Sequence, residues 1–129
     1  MPMTVEWYDE GRTALLFVGT AGWNWDDYYS SHYKGIEMAR EVDHTVHIIY
    51  DVTHADTIPN NALVHFRKMA HMLPPQIGLS IVVNNSMLVR VIFNAFKTVT
   101  GDWARNYRFV TSMDAALDII AHETQTVQN

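Results

Sequence analysis

The chain is 129 residues long, 48% hydrophobic and 18% charged, which is the size and mixture of one globular domain spanning 1–129, with enough length to bury roughly two thirds of its unfolded surface. It has no cysteine, which excludes disulfides, thiolate nucleophiles and zinc ribbons, and its formal charge of −5 with nine scattered cations argues against a nucleic-acid surface. No apolar run reaches the ~20 residues of a membrane span, and Met1 to Glu6 carry neither a basic start nor a hydrophobic stretch for a signal peptide, so the expected compartment is the cytoplasm.

Val5–Tyr8 and Thr13–Val18 read as the two strands of an antiparallel hairpin, joined by Asp9-Glu10-Gly11-Arg12, in which the glycine is free to take positive φ. The second strand is apolar on both faces and belongs inside a covered sheet, whereas the first alternates and belongs nearer an edge. Gly19-Thr20-Ala21-Gly22 follows as a strand exit. From about Trp25 to Glu41 the spacing of Tyr29, Tyr33, Ile36 and Arg40 predicts a helix, with Asp26 and Asp27 at the end where its dipole favours negative charge.

Thr45–Val52 is rich in β-branched and aromatic residues and predicts a central strand running into the loop Thr53-His54-Ala55-Asp56. A second helix takes Pro59 at its first position and Ala62, Leu63, Phe66, Met69, Ala70 and Leu73 as its apolar stripe, and Pro74-Pro75 stops it. Leu79–Val83 is a short buried strand ending in Asn84-Asn85-Ser86, a cluster suited to capping a third helix that points Leu88, Val91, Ile92, Ala95 and Val99 inward until Gly101. Tyr107–Thr111 is the last strand. Ser112 then caps a closing helix built on Ala115, Ala116, Leu117, Ile119 and Ile120, and 123–129 is a polar, flexible tail. The order predicts an α/β fold: a mixed five-stranded sheet with an N-terminal antiparallel hairpin, later strands mostly parallel, and four helices.

Ligands of such sheets gather at the loops beyond the carboxyl ends of the strands. The richest of these loops holds Asp51, Thr53, His54, Asp56, Thr57, Asn60 and Asn61, which as turn and capping residues have structural uses of their own. Trp23, Trp25, Tyr28 and Tyr29 cluster at a helix start, where rings either roof the core or line an apolar pocket, with Asn84, Asn85 and Ser86 at a neighbouring strand end. Met38, Met69, Met72 and Met87 read as core filler first and adaptable binding surface second. The seven histidines do not pair as metal ligands, since His65 and His71 are not one helical turn apart and His44 and His47 point to opposite faces of a strand, so neither metal nor cofactor is expected. Hydrolysis by His54 with Asp56 or Asp51 lacks a motif-borne nucleophile; Gly-x-Ser-x-Gly, Walker and dinucleotide signatures are all missing. Protonating all seven histidines would carry the formal charge from −5 to +2, which predicts a solubility minimum at mildly acid pH.

Three segments carry a family resemblance: Ile48 to Ile58, Leu79–Val83 with the apolar helix after it, and Arg108 to Leu117. Together with the order of elements they resemble the STAS superfamily, the domain of anti-sigma-factor antagonists and of sulfate-transporter tails, in its small stand-alone form, over nearly the whole chain. In the antagonist branch the loop after the central strand carries Asp-Ser-Ser-Gly, whose serine a partner kinase phosphorylates. Here the corresponding stretch is Ile58-Pro59-Asn60-Asn61, which has no serine to accept a phosphoryl group, and Thr57 is the nearest hydroxyl. The resemblance therefore implies a non-enzymatic regulatory or protein-interaction domain not switched by serine phosphorylation. Its contact surface would be Thr53, His54, Asp56, Thr57, Asn60 and Asn61 with the adjoining His65, Arg67 and Lys68. The stand-alone relatives are also similar in fold to lipid-binding CRAL-TRIO proteins, which implies the alternative of an apolar or lipid-like ligand at Trp23, Trp25, Tyr28 and Asn84 to Ser86. A hydrolase using His54 and Asp56 ranks third, and edge-to-edge pairing of the first strand would give a homodimer.

Overall fold

The sheet is built outward from β3, Val46–His54, whose Val46, Ile48 and Ile49 are closed off from solvent on both faces. The computed structural model describes residues 2–55 and 58–128. β1 (Met3–Trp7) pairs antiparallel with β2 (Ala14–Thr20), and β2, β3, β4 (Ile77–Val83) and β5 (Tyr107–Val110) run parallel in chain order, so β1 is an edge strand. The helices are α1 (Trp25–Ala39), α2 (Ala62–Met72), α3 (Met87–Thr100) and α4 (Met113–Gln128). This is the mixed five-stranded α/β arrangement expected from the pattern of elements.

Because β2 to β5 advance in one direction across the sheet, right-handed crossovers place α1, α2 and α3 on one face. Val5, Leu15, Phe17, Val46 and Ile48 meet Ala39 of α1 on that face. The alternate residues Ala14, Ile49, Leu79, Ile81 and Val83 meet Ala116 and Ile120 of α4 on the other, which is the period-two division of a strand between two layers.

Several local expectations need correction. Positive φ falls on Arg12 (57°), not Gly11: the Asp9 carboxylate accepts from Thr13 N at 2.9 Å and closes the turn one residue later, with the Arg12 guanidinium over the Trp7 ring. Helix α1 turns Tyr28, Ser31, His32, Gly35, Ile36 and Ala39 inward and leaves Tyr33 and Arg40 in solvent. Its start is a reciprocal capping box between Asn24 and Asp27. Pro59 precedes α2 rather than opening it, because Asn61 enters the left-handed region (φ 67°) and the helix begins only after that bend.

Helix α3 buries Val89, Phe93, Phe96 and Thr100, not the stripe of Leu88, Val91 and Val99, which stay exposed. Both stripes are apolar at helical spacing, and the larger rings of Phe93 and Phe96 take the inside. Ser86 stands at the cap position of α3 without a side-chain bond. The capping cluster works through Asn84 instead, which is buried, donates to Val52 O at 2.6 Å and accepts from Ser86 N, tying β3 to the start of α3. Ser112 does cap α4, accepting from Ala115 N at 3.1 Å, and Gly101 does end α3 at φ 65°. α4 runs on through Gln128, over residues from Glu123 that were expected to form a tail, and Asn129 lies outside the described residues.

Close approach of α1 to β2 depends on Gly35, where a Cβ would lie 2.8 Å from Phe17 Cζ, a ring already stacked on His32 at 4.6 Å and unable to withdraw. Glycine to alanine inside a helix ordinarily stabilises by up to about 1 kcal/mol. Gly35→Ala is expected to reverse that sign and destabilise by roughly 1–3 kcal/mol through overpacking, measured as a lower urea midpoint.

Candidate functional site

Beneath α1, α2 and α3 lies a cavity of about 90 Å³. The sheet supplies its floor with Met3 of β1, Tyr50 and Val52 of β3, Val82 of β4 and Tyr107 of β5. Trp23 and Tyr28, at the start of α1, close one side; Phe66 of α2 and Val89, Ile92, Phe93 and Phe96 of α3 close the others, with Ala55 and Ile58 at the rim. Nearly all of this wall is aliphatic or aromatic. Trp23 and Tyr28 are buried and yet line open space, so the aromatic cluster both roofs the core and faces a cavity.

The polar atoms in the wall are few and defined. His32 lies behind it, fully buried, with Nδ1 2.7 Å from Tyr28 O and Nε2 2.9 Å from the Tyr50 hydroxyl. A carbonyl only accepts, so Nδ1 carries the proton; neutral Nε2 then accepts from the Tyr50 O–H, leaving the phenol oxygen's lone pairs for another donor. Burial holds the His32 pKa down at about 4, partly offset by its bond to Tyr28 O. Burial likewise raises Tyr28, Tyr50 and Tyr107 far above the usual phenol range, and each of Tyr28 and Tyr50 is raised further by Tyr107 nearby. Three neutral phenols therefore share this wall. Among the described residues the buried indole Nε1 of Trp23 has no hydrogen-bond partner.

A second aromatic layer joins the two groups of residues that the sequence suggested separately. Trp25 stacks on His65 at 4.2 Å and its Nε1 donates to Asn60 O at 2.7 Å, so the start of α1 is fastened to the loop before α2. Tyr29 reaches His65 Nδ1 at 2.7 Å, and Lys68 lies over the Tyr29 ring. Thr53, His54, Asn60 and Asn61 are exposed along this rim. Asp56 and Thr57 lie outside the described residues, so a His54–Asp56 pair has no geometry to describe; the other acid considered, Asp51, accepts from Thr53 N and Oγ1. Trp25, Asn84, Asn85 and Ser86 are not part of the cavity wall.

Tyr50, Val52, Phe66, Val82, Phe93 and Tyr107 are wall residues that the sequence reading treated only as strand or helix. Their signal was the i, i+2 pair on β3 and the inward rings of α2 and α3, which is identical to the signal of an ordinary core.

No protein family profile matches the chain, and no curated protein does. Among solved structures, an uncharacterised protein of the DUF3478 family from Shewanella loihica PV-4, described as having a SpoIIAA-like fold, superposes on 92% of this chain and 91% of its own with a TM-score of 0.64 at 13% identity. The fold is SpoIIAA-like. That is the architecture implied by the resemblance to anti-sigma-factor antagonists. Likeness at this identity speaks for the SpoIIAA-like architecture and leaves the activity to the site.

His32 makes stability depend on pH. Its folded pKa of about 4 lies below the unfolded value of 6.5, so the unfolded chain binds more protons between these limits. The contribution is fully present above pH ~6.5 and lost as pH falls through about 4, amounting to about 3 kcal/mol at most. Urea titrations at neutral pH and near pH 4.5 are expected to show this loss, with a flatter slope in His32→Phe. Burial also lowers His47, whose Nδ1 accepts from Leu79 N at 2.9 Å, so fewer than seven histidines charge in mild acid and the solubility minimum shifts to lower pH.

Proposed function

We propose that this SpoIIAA-like chain is a non-enzymatic binding module that holds a small, uncharged apolar molecule in the cavity under α1, α2 and α3. The single observation that carries the reading is the aromatic cavity itself. An empty apolar space of about 90 Å³ costs on the order of 2 kcal/mol, and an unpaired buried indole N–H adds roughly 1–3 kcal/mol. An occupant with an alkyl or aromatic body recovers the packing contacts that the cavity forgoes. A charged occupant is disfavoured because the walls hold phenols that stay neutral and no ionised partner. This moves the apolar-ligand alternative ahead of a purely protein-directed role.

Regulatory contact with a protein partner is the second reading, favoured by the exposed Thr53, His54, Asn60 and Asn61 beside the cavity rim. The bond from Trp25 to Asn60 O gives it a physical link to the first, since filling the cavity and moving this loop act on the same aromatic layer.

1-Hexanol serves as the probe of the cavity. It is expected to raise the thermal midpoint saturably with one site per chain, a stabilisation of roughly 2.7 kcal/mol at a hundredfold excess over Kd. Val82→Phe and Val89→Phe, which fill the space, are expected to abolish the response while keeping the native circular dichroism. No response in the native chain, or an undiminished one in both variants, would remove the reading.

A further inference from the structure

Four of the nine cations of this acidic chain lie in an interval that holds no acid. Between Thr57 and Gly101 there is no Asp or Glu, while Arg67, Lys68, Arg90 and Lys97 lie there with His65 and His71; all fourteen acids and the other five bases are elsewhere. That interval contains α2 and α3, which sit side by side on one sheet face and present their outer stripes to solvent together.

Those stripes are apolar as well as basic. Val64 of α2 is 66% exposed, and on α3 Met87 is 71%, Leu88 57% and Val91 56% exposed. A surface helix of a globular protein normally turns charged and polar residues outward, with both signs present. Here exposed aliphatic side chains alternate with Arg67 and Lys68 on α2 and with Arg90 and Lys97 on α3, and no carboxylate interrupts them. Apolar side chains ringed by cations match an anionic lipid surface, which offers hydrocarbon at shallow depth and negative headgroups above it. The acids concentrated on the remainder of the molecule are repelled by the same surface, which selects one orientation.

We infer that the outer face of α2 and α3 docks on an anionic lipid bilayer. The inner faces of the same helices, through Phe66, Phe93 and Phe96, wall the cavity, so docking brings the cavity within one helix diameter of the lipid phase. Docking itself does not require the cavity to be filled.

Sedimentation of the full chain with vesicles decides the matter. The expected result is binding to vesicles of equal parts phosphatidylcholine and phosphatidylglycerol, weak or no binding to phosphatidylcholine alone, and weakening with added salt. Arg67→Glu combined with Lys68→Glu, and separately Val91→Glu, are expected to lower the apparent affinity about tenfold or more. Lys34→Glu on α1, with the same change of charge, is expected to have little effect. Circular dichroism confirms that each exposed variant folds. Equal binding to both vesicle types, no binding to either, or an equal loss with Lys34→Glu would overturn the inference. So would a self-association or binding of an acidic protein that Val91→Glu disrupts while vesicles remain unbound. The 1-hexanol response of the same variants separates the two readings: loss of vesicle binding with that response intact locates the failure outside the cavity.

Discussion

The consecutive parallel order of β2 to β5 constrains everything else in this molecule. Each right-handed crossover moves one strand further in the same direction, so α1, α2 and α3 have no choice of face and must share one. α4, which follows the last strand, is left to cover the other. Three helices over a narrow sheet bring many large rings into one layer: Trp23 just before α1 and Tyr28 within it, Phe66 from α2, Phe93 and Phe96 from α3, over Tyr50 and Tyr107 from the strands. Flat rings meeting edge to face at 5.1–6.3 Å do not fill space as branched aliphatics do, and the cavity is the remainder. On the α4 face, where small and branched residues meet Ala116 and Ile120, the layers close directly.

Polar groups buried with the rings stay because each is tied to backbone. His32 spans from Tyr28 O to the Tyr50 hydroxyl and so joins α1 to the central strand. Asn84 joins β3 to the α3 cap, and His47 accepts the amide of Leu79 where Gly78 leaves room, since a Cβ there would lie 2.6 Å from Nδ1. Gln76 donates to Ala39 O and to Val42 O, anchoring the chain after α1 to the entrance of β4. These bonds specify register between elements whose apolar surfaces alone would tolerate sliding. Trp23 Nε1 and Thr100 Oγ1 are the exceptions among the described residues, and Trp23 is one of the residues that line the cavity.

The elements themselves were legible from residue pattern because their signals are local. Alternation in β1, the double-sided apolar run of β2, the β-branched run of β3, Gly101 after α3 and Ser112 before α4 each act within a few residues. Where two local solutions were nearly equal, pattern chose wrongly. In α3 the stripe of Leu88, Val91 and Val99 and the stripe of Val89, Phe93 and Phe96 are both apolar, and only the neighbouring ring of Tyr107 and the packed Ala70 and Ala104 decide which faces in. Asn61 in the left-handed region displaced the start of α2 past Pro59 for a similar reason: Asn60 O is held by Trp25, a residue far away in the chain.

Chain order, strand direction, the layered α/β class and the acid-free interval between Thr57 and Gly101 belonged to the sequence, since each follows from neighbouring side chains or from simple composition along the chain. The cavity, the buried His32 bridge and the apolar outer face of α3 were decided only on folding. A cavity is space that side chains from seven elements fail to fill together, and a helix has no inside or outside until something packs against it.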